Sequence, residues 1–245
     1  MKTILILLLP LLLFYPSLQA APEKWETDYS RLLKTYATPQ GVRYAKWKAS
    51  SADLQALSGV TEAIAGAAPD KLSRDEQLAF YLNAYNAWTI KNVLDAYPIK
   101  SIEDVYPLFG FFTRKTIIVA GKKMSLNELE KGIIIARFKE PRIHTAINCA
   151  STSCPELISE VFTAAKLESQ LTATFRKFVN ENPLGVSLPA DGKTVNISSI
   201  FKWFAADFKP AGGAVAYINQ FRKTPIPASA KVKFQDYDWS LNEAK

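Results

Sequence analysis

Histidine and cysteine are scarce in this chain: its 245 residues include one His and two Cys. So few ligands exclude a zinc-finger array, a His-rich metal site and a scaffold held by many disulfides. Any mechanism that needs a histidine must use His144, since the sequence has no other. Internal repeats, low-complexity tracts and Gly/Ser linkers are also absent. Residues 21–245 are therefore predicted to form a single globular domain.

Runs of one charge are missing as well. The chain has 30 basic and 23 acidic residues, a formal net charge of +7, but no more than two basic residues are adjacent. We therefore predict no nucleic-acid partner and interpret the positive balance as a solvated surface, weakly attracted to anionic envelope components. A hydrophobic content of 48% and an aromatic content of 12% exclude a disordered chain.

The first 20 residues have the pattern of a secretory signal peptide. Lys2 supplies the positive charge, residues 4–14 are largely apolar, and Ala20 ends a small-residue cleavage site. The apolar stretch is shorter than the roughly 20 residues that cross a bilayer, which favours a cleaved signal over the alternative, an uncleaved anchor. We expect a secreted or periplasmic protein with no stable membrane span, in an oxidising space.

Hydrophobic periodicity predicts more helices than strands. The clearest helix, 74–97, begins at a capping box of Ser73 and Glu76, ends before Pro98 and is apolar on nearly every side. Further helices are predicted over 24–36, 51–65, 125–137, 164–180, 199–207 and 214–222, and strands over 115–119, 142–149 and 231–235, with a hairpin of 186–188 and 194–196 around Asp191–Gly192. Because the two types do not alternate regularly, the predicted fold class is α+β, mostly helical with a small, mainly antiparallel sheet.

The only His and both Cys lie within eleven residues, at His144, Cys149 and Cys154. Four interpretations remain open: a nucleophilic cysteine with a histidine base, a structural disulfide, a three-ligand metal site, or dithiol redox chemistry. The spacing matches no common metal-ligand pattern, and C-x4-C differs from the C-x-x-C redox motif. We therefore predict neither a metal nor a cofactor.

The nucleophile interpretation sets geometric conditions. Ser153 and Glu156 have capping-box spacing, which predicts a helix whose N-terminus would lower the pKa of Cys154. In a straight strand, His144 and Cys149 would lie on opposite faces about 16 Å apart, so the chain would have to bend between them. A further group must orient the imidazole. The candidates are Glu130, Asp207, Asn83 and Asn86.

Two other features have alternative explanations. Asn83 and Asn86 share one face of the predicted buried helix, where they would either bind substrate or pair with core backbone. Asp238 lies in an aromatic C-terminal segment, which predicts a packed strap.

Six segments carry a family resemblance: FYLNAYNAWTI (80–90), YPIKSI (97–102), SLNELEKGI (125–133), RIHTAINCASTSCPEL (142–157), IFKWFAADF (200–208) and YDWSLN (237–242). In this order, over nearly the whole mature chain, they resemble the family catalogued as domain of unknown function 547. The resemblance picks out Asn83, Asn86, Glu130, His144, Cys149, Cys154 and Asp207. Members of that family often have His at the position of Lys131, so a two-His metal site is disfavoured here.

We expect an exported, cysteine-dependent hydrolase or acyl transferase that acts on a peptide or amide of the cell envelope. The alternative is a non-catalytic envelope-binding domain with a structural disulfide between the two cysteines. The catalytic candidates are His144, Cys149, Cys154, Asp207 and Glu130, and the substrate-binding candidates are Asn83 and Asn86.

Overall fold

The structure, a computed structural model, describes residues 23–189 and 193–244. The predicted signal peptide and the predicted turn at Asp191–Gly192 lie outside the described residues. Among the helices of the described ranges, none has both the length and the apolar character that crossing a bilayer requires.

Helices dominate the regular structure. They are α1 (Lys24–Tyr36), α2 (Tyr44–Lys48), α3 (Ser51–Gly66), α4 (Arg74–Ala96), α5 (Gly110–Thr113), α6 (Ala136–Phe138), α7 (Leu167–Asn180), α8 (Ile200–Trp203), α9 (Ala205–Phe208) and α10 (Ala214–Asn219). A π-helical stretch, Glu128–Ile135, leads into α6, and 3-10 turns cover Pro69–Lys71, Ile102–Asp104, Pro141–Thr145, Ala164–Lys166 and Lys209–Ala211. The predicted helix over 199–207 is divided at Phe204 into α8 and α9.

The strands form three small sheets in the described residues. β1 (Ala37–Thr38) pairs with β2 (Gly41–Val42), β3 (Thr116–Val119) with β4 (Lys122–Ser125), and β5 (Val186–Ser187) with β6 (Thr194–Ile197), all antiparallel, while β7 (Lys231–Phe234) is parallel to β6. A parallel pair needs a long crossover, and α8, α9 and α10 lie in that connection. The predicted mostly helical α+β fold is confirmed.

Helix α4 is buried on nearly every side. It begins at the predicted capping box, in which the backbone N–H of Ser73 donates to Glu76 Oε2 at 2.8 Å and the N–H of Glu76 to Ser73 Oγ at 3.4 Å. Sixteen of its 23 residues are buried, so it packs on several neighbours and lacks a single apolar stripe. Polar side chains inside such a helix must find partners.

Asn83 and Asn86 find those partners in the backbone of other segments. Asn83 donates to the carbonyl of Phe162 at 2.8 Å and accepts from its N–H at 2.9 Å. Asn86 donates to the carbonyl of Ala146 at 2.9 Å and accepts from the N–H of Asn148 at 2.8 Å. The second pair attaches α4 to residues 146–155, which carry both cysteines and are called the cysteine loop below.

The predicted strand over 142–149 is wrong. Residues Pro141–Thr145 form a 3-10 turn instead, which begins where the side chain of Glu140 accepts from the N–H of Arg142 at 3.0 Å. Pro141 stands at the first helical position, where its fixed φ favours a helical turn. The apolar alternation was misleading because the whole turn is buried. Ile143 and His144 are adjacent and both buried, whereas a half-exposed strand would bury only alternate residues.

The predicted helix start at Ser153 is also wrong, since the chain from Ser153 to Pro155 is not helical. Its capping hydroxyl is used elsewhere: Ser153 Oγ accepts from the N–H of Asp238 at 2.9 Å. This contact belongs to the predicted C-terminal strap, residues 237–242, which also pairs with the backbone of the cysteine loop through Asn242 N and Ala150 O at 3.1 Å. The strap therefore uses the Ser153 hydroxyl that would otherwise cap a helix beginning at this residue.

Buried apolar side chains form two clusters. The first surrounds α1, α3 and α4, and the second lies among α7, β5, β6 and α8 to α10. Helix α7 joins them, since Leu167 and Leu171 belong to the first cluster whereas Phe175 and Phe178 belong to the second. The boundary between two cores is a usual place for a ligand cavity.

The amide pairing of Asn86 gives a stability prediction. Asn86→Ala leaves the carbonyl of Ala146 and the N–H of Asn148 without partners in a buried position. Each such group costs about 1–3 kcal/mol. We expect the free energy of unfolding, measured by urea denaturation, to fall by about 2–6 kcal/mol.

Asn92→Ala is the matched control. Asn92 lies on the same helix and is equally buried, but its Nδ2 has no hydrogen-bond partner among the described residues. We expect a smaller loss in this variant, and equal losses in the two variants would contradict the role assigned to Asn86.

Candidate active site

A pocket of about 300 Å³ lies where the two clusters meet. Its walls include Glu130, His144, Cys149 and Cys154, four of the five predicted catalytic residues. The fifth, Asp207, reaches the pocket through His144. A larger groove of about 750 Å³ along α7 contains none of the five.

Side-chain amides shape the cysteine loop. Besides the Asn86 pair, Asn148 Oδ1 accepts from the N–H of Ala150 at 2.9 Å, and its Nδ2 donates to the carbonyl of Pro155 at 2.7 Å. Ala150 has a φ of +60°, in the left-handed region where the chain can reverse sharply. This reversal places Sγ of Cys149 2.9 Å from Sγ of Cys154.

Both cysteines are free thiols. The alternative of a structural disulfide that fixes the loop is therefore not found, and the amides of Asn86 and Asn148 supply that constraint instead. Two sulfurs in hydrogen-bonding contact share their protons unequally, since one thiol donates to the other.

The surroundings of Cys149 favour its thiolate. Burial raises the pKa of Cys149, but hydrogen bonds from Cys154, Ser151 and Tyr237 outweigh that effect and lower it to about 7. The Ser151 hydroxyl lies 3.0 Å and the Tyr237 hydroxyl 3.2 Å from Cys149 Sγ. These are neutral donors, so the anion is stabilised without a cation.

Cys154 has the opposite tendency. Burial, and then the adjacent sulfur of Cys149, raise its pKa well above the usual range. Its sulfur also accepts from the backbone N–H of Cys149 at 2.9 Å. Near neutral pH Cys149 is therefore the sulfur that ionises, while Cys154 keeps its proton.

His144 is held by Asp207, not by a cysteine. Its Nε2 lies 2.8 Å from Asp207 Oδ2, and its ring stacks on Phe204 with centroids 4.0 Å apart. Burial lowers the pKa of His144, although the Asp207 carboxylate opposes the shift, so the imidazole is neutral at pH 7. A carboxylate only accepts, which places the imidazole proton on Nε2 and leaves the lone pair on Nδ1.

His144 and Cys149 line the same pocket, but no hydrogen bond joins them in the described part of the chain. The orienting group that sequence reasoning sought is Asp207, from the short helix α9. The His144–Asp207 pair is therefore available to act on substrate or water in the pocket.

Glu130 is a second titratable wall residue. Burial, followed by the nearby Cys149 charge, raises its pKa to about 7, while Lys131 opposes the shift. Its Oε2 accepts from the hydroxyl of Tyr85 at 3.4 Å. A carboxyl group with this pKa can both donate and accept a proton near neutral pH.

Asn83 and Asn86 are not among the residues that line the pocket. Their amides are occupied by backbone groups, and Asn86 acts on the site through the cysteine loop. This geometry matches the architectural explanation of the two side chains, and direct substrate binding by them stays a prediction.

Sequence reasoning missed an aromatic wall. One side of the pocket is built from aromatic rings of α5 and the residue before it, of α8 and of the strap, here called the aromatic wall: Phe109, Phe112, Trp203, Tyr237 and Trp239. Trp239 packs edge-on against Phe109 at 4.8 Å and stacks on Trp203 at 5.7 Å between centroids. The aromatic content of YDWSLN was visible in the sequence, but nothing local indicated that Tyr237 contacts Cys149.

In residues 23–189 and 193–244, no group of three or more His, Cys, Asp or Glu side chains is arranged to hold a metal ion.

Comparison with known proteins identifies a family. The sequence model of the family described as "Protein of unknown function, DUF547" matches residues 69–179, about half of the chain. The chain belongs to the DUF547 family. No curated protein and no solved structure matches it.

The DUF547 match covers α4, Glu130, His144 and both cysteines. It ends before Asp207 and the strap, so the resemblance at 200–208 and 237–242 lies outside the matched segment. The site of this DUF547 chain therefore combines the matched segment with residues from later in the sequence.

The lowered pKa of Cys149 predicts its reactivity with pH. The thiolate is the nucleophile, so the rate of alkylation by iodoacetamide should rise with pH through a midpoint near 7. Tyr237→Phe removes one donor to the sulfur and should move the midpoint upward. The rate is measured at Cys149 by peptide mass spectrometry across the neutral range.

Tyr217→Phe is the control, since Tyr217 is a buried tyrosine outside the pocket and should leave the midpoint unchanged. A wild-type midpoint at the ordinary thiol value of about 8.5 would show that the three donors do not stabilise the thiolate.

Proposed function

We propose that the chain is a cysteine-dependent hydrolase or acyl transferase that acts on a peptide or amide, with Cys149 as nucleophile. The observation that carries the proposal is the Cys149 thiol, whose pKa is about 7. It lies in the same 300 Å³ pocket as His144, which is hydrogen-bonded to Asp207. A nucleophile, a base and a group that orients the base are the parts that acyl transfer through a covalent intermediate requires.

In the first half-reaction, the Cys149 thiolate attacks the carbonyl carbon of the substrate. The resulting tetrahedral intermediate collapses, the carbon–nitrogen bond breaks, and the acyl group stays on sulfur. The departing amine needs a proton, and protonated Glu130 is the donor in the pocket whose pKa of about 7 suits that step.

In the second half-reaction, water or an acceptor amine attacks the thioester. His144 Nδ1 takes the proton of the attacking group, and Asp207 stabilises the imidazolium that forms. The thiolate leaves and is again stabilised by Cys154, Ser151 and Tyr237. The imidazolium loses its proton to solvent and the Glu130 carboxylate takes one up, which restores both groups. Water gives a hydrolase and an amine gives a transferase.

This assignment changes two expectations from the sequence. His144 is not required to deprotonate Cys149, because neutral donors already stabilise the thiolate, so its role moves to the second half-reaction. Cys154 acts as a positioning residue for Cys149. Export, and with it a substrate in the cell envelope, is supported by the signal-peptide pattern of residues 1–20.

An activated ester tests the proposal. With p-nitrophenyl acetate, the wild-type chain should acquire an acetyl group on Cys149, located by peptide mass spectrometry, and then turn over. His144→Ala should accumulate the acetyl-enzyme and slow turnover by about 10²–10⁴-fold, because it removes the base for the second half-reaction. Cys149→Ala should give no site-specific acetylation.

Asp207→Asn should also slow turnover, since its amide no longer stabilises the imidazolium, whereas Asp236→Asn, which neutralises an exposed carboxylate, should not. Circular dichroism and thermal unfolding verify that each variant is folded. Absence of acetyl on wild-type Cys149 would refute the proposal and favour the alternative, a non-catalytic envelope-binding domain.

A further inference from the structure

The two sulfurs of the pocket are positioned for a second reaction. Cys149 Sγ and Cys154 Sγ are 2.9 Å apart, and a disulfide bond is about 2.05 Å long, so closing the pair requires a shift of about 1 Å. Both residues line the pocket, so a ligand there contacts the pair. We infer that Cys149 and Cys154 act as a dithiol that reduces small organic disulfides by thiol–disulfide exchange.

A single reduction needs only the reduced cysteine pair and one disulfide molecule. The Cys149 thiolate attacks one sulfur of the disulfide, a Cys149–sulfur bond forms, and the first thiolate leaves. Cys154 then gives its proton to a released thiolate and attacks Cys149 Sγ, which frees the second sulfur of the substrate and forms the Cys149–Cys154 disulfide. The substrate gains the two electrons that the dithiol loses, and an external dithiol restores the reduced pair.

The unequal protonation of the pair suits this order of events. Cys149 is the partly exposed sulfur and the one that ionises near neutral pH, so it is the attacking sulfur. Cys154 is buried and keeps its proton, so it stays in reserve until a mixed disulfide forms beside it. Because Cys154 lies beside the mixed disulfide on Cys149, the second step is intramolecular. It is therefore faster than attack on the mixed disulfide by a thiol from solution.

The pocket defines the class of disulfide. A volume of about 300 Å³ admits a small molecule and excludes a folded protein. The aromatic wall offers apolar ring faces, against which sulfur and aromatic groups pack favourably. The structure therefore favours a low-molecular-weight disulfide that carries an aromatic or apolar substituent.

This activity goes beyond the proposed acyl transfer and does not depend on it. Both reactions begin with the Cys149 thiolate, but only acyl transfer uses His144 and Asp207, and only disulfide exchange uses the sulfur of Cys154. The Cys149–Cys154 disulfide would also remove the nucleophile of the hydrolase. A His144 variant consequently tests acyl transfer, and a Cys154 variant tests disulfide exchange.

The test uses dithiobis(nitrobenzoate), an aromatic disulfide, and the reduced chain. The sequence has two cysteines in all, so each equivalent of released nitrothiolate can be assigned to one of them. The wild type should release two equivalents of the nitrothiolate per chain, and its intact mass should then be lower by two hydrogens with no adduct. Cys154→Ser should release one equivalent and keep the mixed disulfide on Cys149.

Cys149→Ser should react at least about tenfold more slowly, because Cys154 alone is buried and protonated. Tyr217→Phe, a change outside the pocket, should behave as wild type. A wild-type chain that keeps a stable nitrothiobenzoate adduct on either sulfur would overturn the inference, since the second step would then not occur.

Discussion

Hydrogen bonds between buried side-chain amides and the backbone of the cysteine loop are the constraint on which the site depends. An irregular segment inside a protein carries peptide groups that secondary structure does not pair, and each needs a partner. Asn86 and Asn148 supply those partners with the donor and acceptor geometry of a peptide group. Together with the strap, they support the left-handed conformation of Ala150 and the short distance between the two sulfurs.

Four groups that line the cavity have shifted pKa values: Glu130, His144, Cys149 and Cys154. The directions differ because each group has different neighbours. Burial is the largest effect on all of them, and it alone would favour every neutral form. Hydroxyl and thiol donors reverse that effect at Cys149, whereas Glu130 lacks comparable donors and keeps a raised pKa. Near pH 7 Glu130 and Cys149 therefore each exchange a proton readily, beside a His144 whose pKa is lowered, and proton transfer and nucleophilic attack use such a combination.

Local sequence signals predicted the elements that local forces determine. The Ser73–Glu76 capping box and the apolar pattern after it located α4 to within a residue, and the scarcity of His and Cys singled out three residues that line one pocket. The alternation over 142–149 was misleading, because the residues are buried by tertiary packing around a turn that begins at Pro141. Asp207 was one of four candidate partners for His144, and its selection depends on contacts across 63 residues.

The strap has a consequence for the timing of assembly. Residues leave the ribosome in order, and the matched segment 69–179 emerges well before Tyr237. Until the strap is docked, Cys149 lacks its phenolic donor and the pocket lacks part of its aromatic wall. The thiol therefore gains its full acidity only once the strap, one of the last segments to be made, has docked on the loop.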